Sequence, residues 1–432
     1  MLYILELAIT LLAGLMLTRL FKLLHLHFPD VTVYLLTGLL VGPFFLGKLG
    51  IEGLGFSTLE EVESLNLIST VALGFIAFSI GSEFKMEKLK KSGKTTMIIG
   101  ILQAVTACLL VDGALIALHF ILGEEALPLT VCIVLGAIAS ATAPAATLMV
   151  VRQYKAKGPV TDLLLPIVAL DDAAGLVLFA VSFGVAQALQ GGVLSVGSIL
   201  FEPLVEIMSS LLLGALLGLL LSKLESLFFS DDNRMSMTVT FVLLAIAVSS
   251  IRIELSAVTV SFSSLLTLMM LGSVFCNTSE YAEGIFEKAE HWTAPLYVAF
   301  FVISGAELDL SVFSNLPILL CGAVYILVRC IGKYLGASIP SALLKEDRNV
   351  TKYLGITLFP QAGVALGMVN VAQSLGAAEG ALIRNIILMS VLVYELVGPS
   401  LTKAALVKAG EVRTPETVVK ENSELQPQGS EA

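Results

Sequence analysis

Apolar residues fill this chain in runs of about 20, the length a helix needs to cross a bilayer. Short polar or glycine-rich stretches separate the runs. The runs lack the strict apolar–polar alternation of a transmembrane barrel strand. The pattern predicts an all-α polytopic membrane protein of about 13 transmembrane helices. Their positions are near 2–22, 30–47, 64–82, 95–120, 128–150, 162–188, 198–222, 236–251, 255–276, 293–307, 314–338, 351–375 and 381–406.

Two of these spans carry helix breakers near the middle. Residues 139–147 read Ala-Ser-Ala-Thr-Ala-Pro-Ala-Ala-Thr, with Pro144 inside. Residues 358–367 read Leu-Phe-Pro-Gln-Ala-Gly-Val-Ala-Leu-Gly, with Pro360, Gln361 and Gly363 inside. Proline removes a backbone donor and clashes with the preceding turn. Freed backbone groups are tolerated at membrane depth only where protein or a hydrated cavity meets them. Interrupted spans in corresponding halves predict an inverted-repeat transporter with two broken helices and a site at the midplane.

Charge in the loops sets the expected orientation. Arg19, Lys22, Lys85, Lys88, Lys90, Lys91, Lys94, Arg152, Lys155, Lys157, Lys345, Arg348, Lys352, Lys403, Lys408 and Arg413 all fall on one side of this span order. The other side holds Lys48, Arg252 and Arg384 amid Glu60, Glu61, Glu63, Glu124 and Glu125. The positive side faces the cytoplasm, so the N-terminus is expected outside and the C-terminus inside. The first 20 residues lack a basic start and a small-residue cleavage site. They read as a retained helix, not a signal peptide.

Composition narrows the class. Charged residues make up 14% of the 432 and hydrophobic residues 56%, far from the balance of a soluble domain. The net charge of −10 comes largely from acidic loops and an acidic end, which argues against a nucleic-acid partner. The five cysteines lie in or beside apolar runs without metal-type spacing, and the four histidines sit near span ends with no His-Glu-x-x-His pattern. An intramembrane enzyme is therefore not expected, nor is a phosphate-binding loop present. Residues 1–410 read as one transmembrane domain and 411–432, polar with Pro415 and Pro427, as a disordered cytoplasmic tail.

The candidate chemistry is a pair of adjacent carboxylates, Asp171 and Asp172, inside an apolar span. One charged side chain at the bilayer centre costs about 2.5–3.5 kcal/mol even on a lenient scale. Such a pair is stable only with a cation, a proton or a basic partner beside it. Neighbouring side chains diverge by about 100° around a helix, so one carboxylate can meet a basic group while the other meets a hydrated cavity. Arg329 and Lys333 are four apart in another span and share one helix face. Both have a bland alternative, snorkelling to the surface. Glu395 reads as a structural carboxylate paired with a basic group, Asp112 as hydrated near a span end, and Asp162 as a helix N-cap.

Ala-Leu-Asp-Asp-Ala-Ala (169–174), following a Thr-Ala-Pro-Ala break, resembles the monovalent cation/proton antiporter superfamily, and within it the electrogenic sodium/proton branch. The stretch 29–43, Gly332-Lys333-Tyr334-Leu335-Gly336, Phe359–Leu366 and Glu395–Pro399 resemble further pieces of that family in order, so the likeness covers about residues 25–410. It implies the sodium/proton antiporter fold, with a transporting bundle over about 95–188 and 314–406 and the other spans as scaffold and dimer contact. It implies Asp172 as principal Na⁺ ligand and Asp171 as its neighbour, salt-bridged to Lys333 in the ion-free state. Thr142 and nearby backbone would help hold the ion. Gln361 and Ala362 stand where many relatives carry Arg and Glu, which leaves ion selectivity open, as it leaves open which of Arg329 and Lys333 meets Asp171.

The reading is a homodimeric antiporter of the plasma membrane of a bacterium-like cell. It exchanges Na⁺, with Li⁺ or K⁺ as alternatives, for H⁺ by alternating access. The exchange is electrogenic and serves pH homeostasis. The ions are substrates and no resident cofactor is expected. A K⁺/H⁺ antiporter or K⁺ efflux system of the same family and a sodium-coupled organic-solute carrier stand as alternatives.

Overall fold

The computed structural model describes residues 2–24, 26, 28–49, 55–82, 84–190, 196–251, 253–255, 258–307 and 316–412, with the backbone alone at 2–4, 87–92, 172, 196–204, 253–255, 258–260, 316–317, 363 and 370. The expected tail therefore lies almost wholly outside the described residues. Sixteen α-helices are described: α1 (Leu2–Leu23), α2 (Asp30–Val41), α3 (Leu59–Glu63), α4 (Asn66–Gly81), α5 (Met86–Leu122), α6 (Leu129–Ile138), α7 (Pro144–Gln153), α8 (Pro159–Leu189), α9 (Val196–Glu225), α10 (Asp231–Ser249), α11 (Ser264–Thr278), α12 (Ala282–Ala306), α13 (Leu316–Leu343), α14 (Arg348–Thr357), α15 (Gly363–Ala372) and α16 (Ala377–Lys408). By length and composition, six described segments are able to cross a membrane alone.

Several boundaries depart from the sequence pattern. The helix expected over 30–47 stops at Val41, because Gly42 and Pro43 end it, and a short 3-10 turn follows at Leu46–Leu49. The span expected from 255 begins only at Ser264. Before it, Ile253–Leu255 pairs antiparallel with Val258–Val260. Val258, Thr259 and Val260 are β-branched and favour the pleated backbone. The helix expected from 293 starts earlier, at Ala282.

The helices form two packed groups. In one, α1, α2 and α12 pack together, and α4 and α9 pack on α11. In the other, α5 packs on α6, α8 and α13, while α13 packs on α14 and α16. A buried apolar cluster that includes Val111, Leu135, Tyr325, Met368 and Ile387 fills the second group. Glycine permits its tightest contact. A Cβ on Gly332 would lie 2.7 Å from Ala107 Cα, and one on Gly336 would lie 2.6 Å from Gln103 Cα. These separations are too short for any side chain, so α13 reaches α5 only with glycine at both positions. Outward faces are apolar instead of polar, with Leu109, Leu212 and Leu327 exposed, which suits lipid contact.

The two helical gaps meet inside the second group. Ala143, immediately before Pro144, donates its N–H to the carbonyl of Pro360 at 2.8 Å. Arg329, wholly buried, donates Nε to Ala139 O (2.9 Å), Nη1 to Phe359 O (2.7 Å) and Nη2 to Ala141 O (2.6 Å). Gln361 Nε2 donates to Ile138 O at 2.9 Å. Carbonyls that end α6 and α14 thus find donors, as buried backbone groups must, and the guanidinium sits where the helix dipoles are negative.

Two expectations follow. Arg329→Lys keeps the charge but loses the three-pronged fork, and it should lower stability by about 3 kcal/mol or more through unpaired carbonyls. Thermal unfolding in detergent measures it, and a melting temperature equal to the parent's would show that the carbonyls need no fork. Gly336→Val should cost about 1–3 kcal/mol by overpacking α13 against α5, read in the same assay.

Candidate functional site

Asp171 projects from α8 toward the crossing of the two gaps. Lys333 reaches it from α13, with Nζ 2.7 Å from Asp171 Oδ2. Both side chains are wholly buried. The spacing of four places Lys333 and Arg329 on one face of α13, and the glycine contact brings α5 close enough for Gln103 to join. Lys333 also donates to Gln103 Oε1 at 2.7 Å, to Thr142 Oγ1 at 3.0 Å and to the carbonyl of Ser140. Asp171 accepts from Gln103 Nε2 on one oxygen and from the Thr142 hydroxyl on the other. An ammonium carries three protons and here meets four acceptors.

The structure separates the two basic residues by task. Lys333 pairs with Asp171. Arg329 does not touch it, and its guanidinium holds the helix ends and lies over the Tyr394 ring at 4.6 Å. Neither snorkels, since both are fully buried. Pro144 is the first residue of α7, where a missing N–H is harmless. Pro360 and Gln361 lie in the gap between α14 and α15, and Gly363 opens α15. Gln361 also donates to Tyr325 Oη at 2.9 Å. Asp172 lies on α8 next to this network, but its side chain is outside the described residues.

Other sequence readings are corrected. Glu395 pairs with no basic group among the described residues; it is 7% exposed and faces a cavity that Glu307 also lines. Asp162 is not the N-cap of α8, which is Gly158. The first turn of α8 is instead held by Glu411, whose carboxylate accepts from Val160 N at 2.6 Å and Thr161 N at 2.8 Å. Asp112 is only half-buried, with Oδ2 3.6 Å from Cys108 Sγ and a buried Oδ1 that has no hydrogen-bond partner.

Sequence reasoning missed Gln103, Ser140, Tyr325 and Glu307. Gln103 left the clearest signal, a lone polar residue in the apolar run Ile-Leu-Gln-Ala. The Ser140 contribution is a backbone carbonyl, which no side-chain pattern marks.

Known proteins share this arrangement of helices. The family described as "Sodium/hydrogen exchanger, transmembrane" matches residues 7–408. The K(+)/H(+) antiporter subunit KhtU of Bacillus subtilis (strain 168) is 25% identical over 386 residues, which cover 88% of each chain. Cation/H(+) antiporter 17 of Arabidopsis thaliana is 23% identical over 407 residues, 90% of this chain but 48% of its own length. This chain thus spans about half of that plant protein. The solved structure of the sodium proton antiporter MjNhaP1 from Methanocaldococcus jannaschii at pH 8 superposes with a TM-score of 0.65 at 19% identity, covering 99% of both chains. An electron-microscopy map of the same archaeal protein gives 0.66 at 17% identity, covering 99% of this chain and 98% of that one. At such identity these two establish the fold. With the family match running nearly end to end, the chain belongs to the sodium/hydrogen exchanger family of multi-pass membrane proteins.

Proposed function

We propose that this chain is a secondary active antiporter that exchanges Na⁺ for H⁺ by alternating access. The observation that carries the reading is the wholly buried Lys333–Asp171 pair where the gap between α6 and α7 meets the gap between α14 and α15. Charge balance supports a second, ion-binding carboxylate there. Arg329 and Lys333 supply two positive charges and Asp171 one negative, so Asp172, when ionised, brings the cluster to neutrality. Na⁺ competes with protons for Asp172, with Asp171, Thr142 and nearby backbone as further oxygen ligands. Hard oxygen donors suit an alkali cation.

The architecture we infer has about 13 crossings, with the N-terminus outside, in the plasma membrane of a bacterium-like cell. Helices α5–α8 and α13–α16 form two corresponding units of inverted orientation. They move as a bundle against the remaining helices. We place a homodimer contact on the outward faces of α1 and α9, where Leu12 and Leu212 stand exposed. Cross-linking of cysteines introduced at these two positions should give a dimer; monomer alone would remove that part of the reading.

The exchange is electrogenic in this reading. Na⁺ at Asp172 draws both carboxylates and weakens the Lys333 pair. A desolvated ammonium without its partner gives up its proton. The sodium-loaded and proton-loaded forms then differ by one charge, worth about 2.3 kcal/mol per 100 mV. The potassium/proton alternative draws on the Bacillus relative's name.

Proton movement in everted vesicles, after adding Na⁺, K⁺ or Li⁺ separately, tests the substrate. Na⁺ should elicit it and Asp172→Asn should abolish it. A response to K⁺ alone would favour the alternative, and no response to any cation would sink both. In proteoliposomes an imposed potential should change the initial rate. Lys333→Gln should remove that dependence, and equal parent rates at both potentials would mean electroneutral exchange.

A further inference from the structure

A second set of acidic oxygens lies apart from the Asp171–Lys333 network. Helices α4, α7, α12, α15 and α16 line a cavity of about 190 Å³ between the two packed groups. Most of its wall is apolar, with Phe300, Phe301 and Leu388 among the lining residues. Two carboxylates line the same space, Glu395 of α16 and Glu307 just past the end of α12. No Lys, Arg or His is among the described lining residues.

Glu395 is nine-tenths buried yet makes no hydrogen bond or ion pair among the described residues. The nearby guanidinium of Arg329 is spent on the carbonyls of Ala139, Ala141 and Phe359, and the Lys333 ammonium on Asp171. Ser69 of α4 adds an independent sign. Ser69 lines the cavity, and its Oγ is buried with no hydrogen-bond partner. Ser304 is a further lining residue.

A buried carboxylate without a basic partner is unfavourable in its ionised form unless a cation meets it, and is otherwise neutralised by a proton. Carboxylate and hydroxyl oxygens, with the Asn66 amide and no imidazole or thiol among the lining residues, form a hard donor set suited to an alkali cation. We propose that Glu395 and Glu307, with Ser69 and Ser304, form a second binding site for a monovalent alkali cation. The cavity wall includes Ala143 and Pro144, directly after Thr142, whose hydroxyl meets Asp171. A cation held there waits beside the carboxylate pair; this role as a station rests on the antiporter reading, whereas binding itself does not.

Equilibrium binding tests it without transport. Radioactive sodium and rubidium are bound to the purified full chain carrying Asp171→Asn and Asp172→Asn, by scintillation proximity. Saturable binding should remain. Adding Glu395→Gln should weaken it about tenfold or more through loss of a shielded charged ligand, and Glu395→Asp should retain part of it. Ser69→Ala should weaken it by a smaller factor. If the multiple variants fail to fold, Glu395→Gln in the otherwise native chain should remove one of two binding phases. No residual binding on the Asn background, or binding indifferent to both Glu395→Gln and Glu307→Gln, would overturn the proposal and leave these carboxylates simply protonated. Silent vesicles with intact residual binding would count against antiport and not against this site.

Discussion

Unpaired backbone carbonyls in a medium without water are the constraint on which this structure depends. Two helices stop inside the packed core, and each stop exposes carbonyls that nothing in its own helix can satisfy. Arg329 takes three of them, Gln361 takes Ile138, and Lys333 takes Ser140. The Ala143–Pro360 hydrogen bond ties the two gaps directly. The gaps therefore persist because donors from other helices meet them, not because the local sequence is merely a poor helix former.

The same donors organise the charge. A lysine placed to satisfy a carbonyl is also a cation in a shielded place, and it needs a carboxylate. Asp171 supplies one from α8, and Gln103 and Thr142 hold that carboxylate from two further elements. Close approach of α13 to α5 is a precondition, since Gln103 meets Lys333 only when no side chain stands at Gly336. Packing, backbone satisfaction and ion chemistry are here one arrangement. Glu411 extends it outward by capping α8, so the chain just beyond α16 fixes the first turn of the helix that carries Asp171.

Glu395 shows the opposite case. It lies one residue from Tyr394, which packs on Arg329, yet its carboxylate has no share in that network. On α16 the faces diverge, and Glu395 opens into the space between the two helix groups. Two acidic regions therefore coexist, one with a basic partner and one with none among the described residues.

The sequence by itself determined the class of the protein, because apolar runs of bilayer length admit few other solutions. It also marked Pro144 and Pro360 as places where a helix loses a donor, and put Arg329 and Lys333 on one helix face, since both follow from local covalent geometry. It marked the carboxylates of Asp171 and Asp172 as costly to bury. Partner choice was beyond it. Arg329 and Lys333 are both basic, and only the depth of each along α13 against the crossing decides that one meets carbonyls and the other Asp171. Gln103 and Ser140 join from distant positions, one through a neutral side chain and one through a backbone oxygen, so no charge pattern announces them. The 253–260 hairpin and the unpaired state of Glu395 are likewise matters of what lies opposite. Period and composition report what a segment can bury; only the tertiary structure decides what it is buried against.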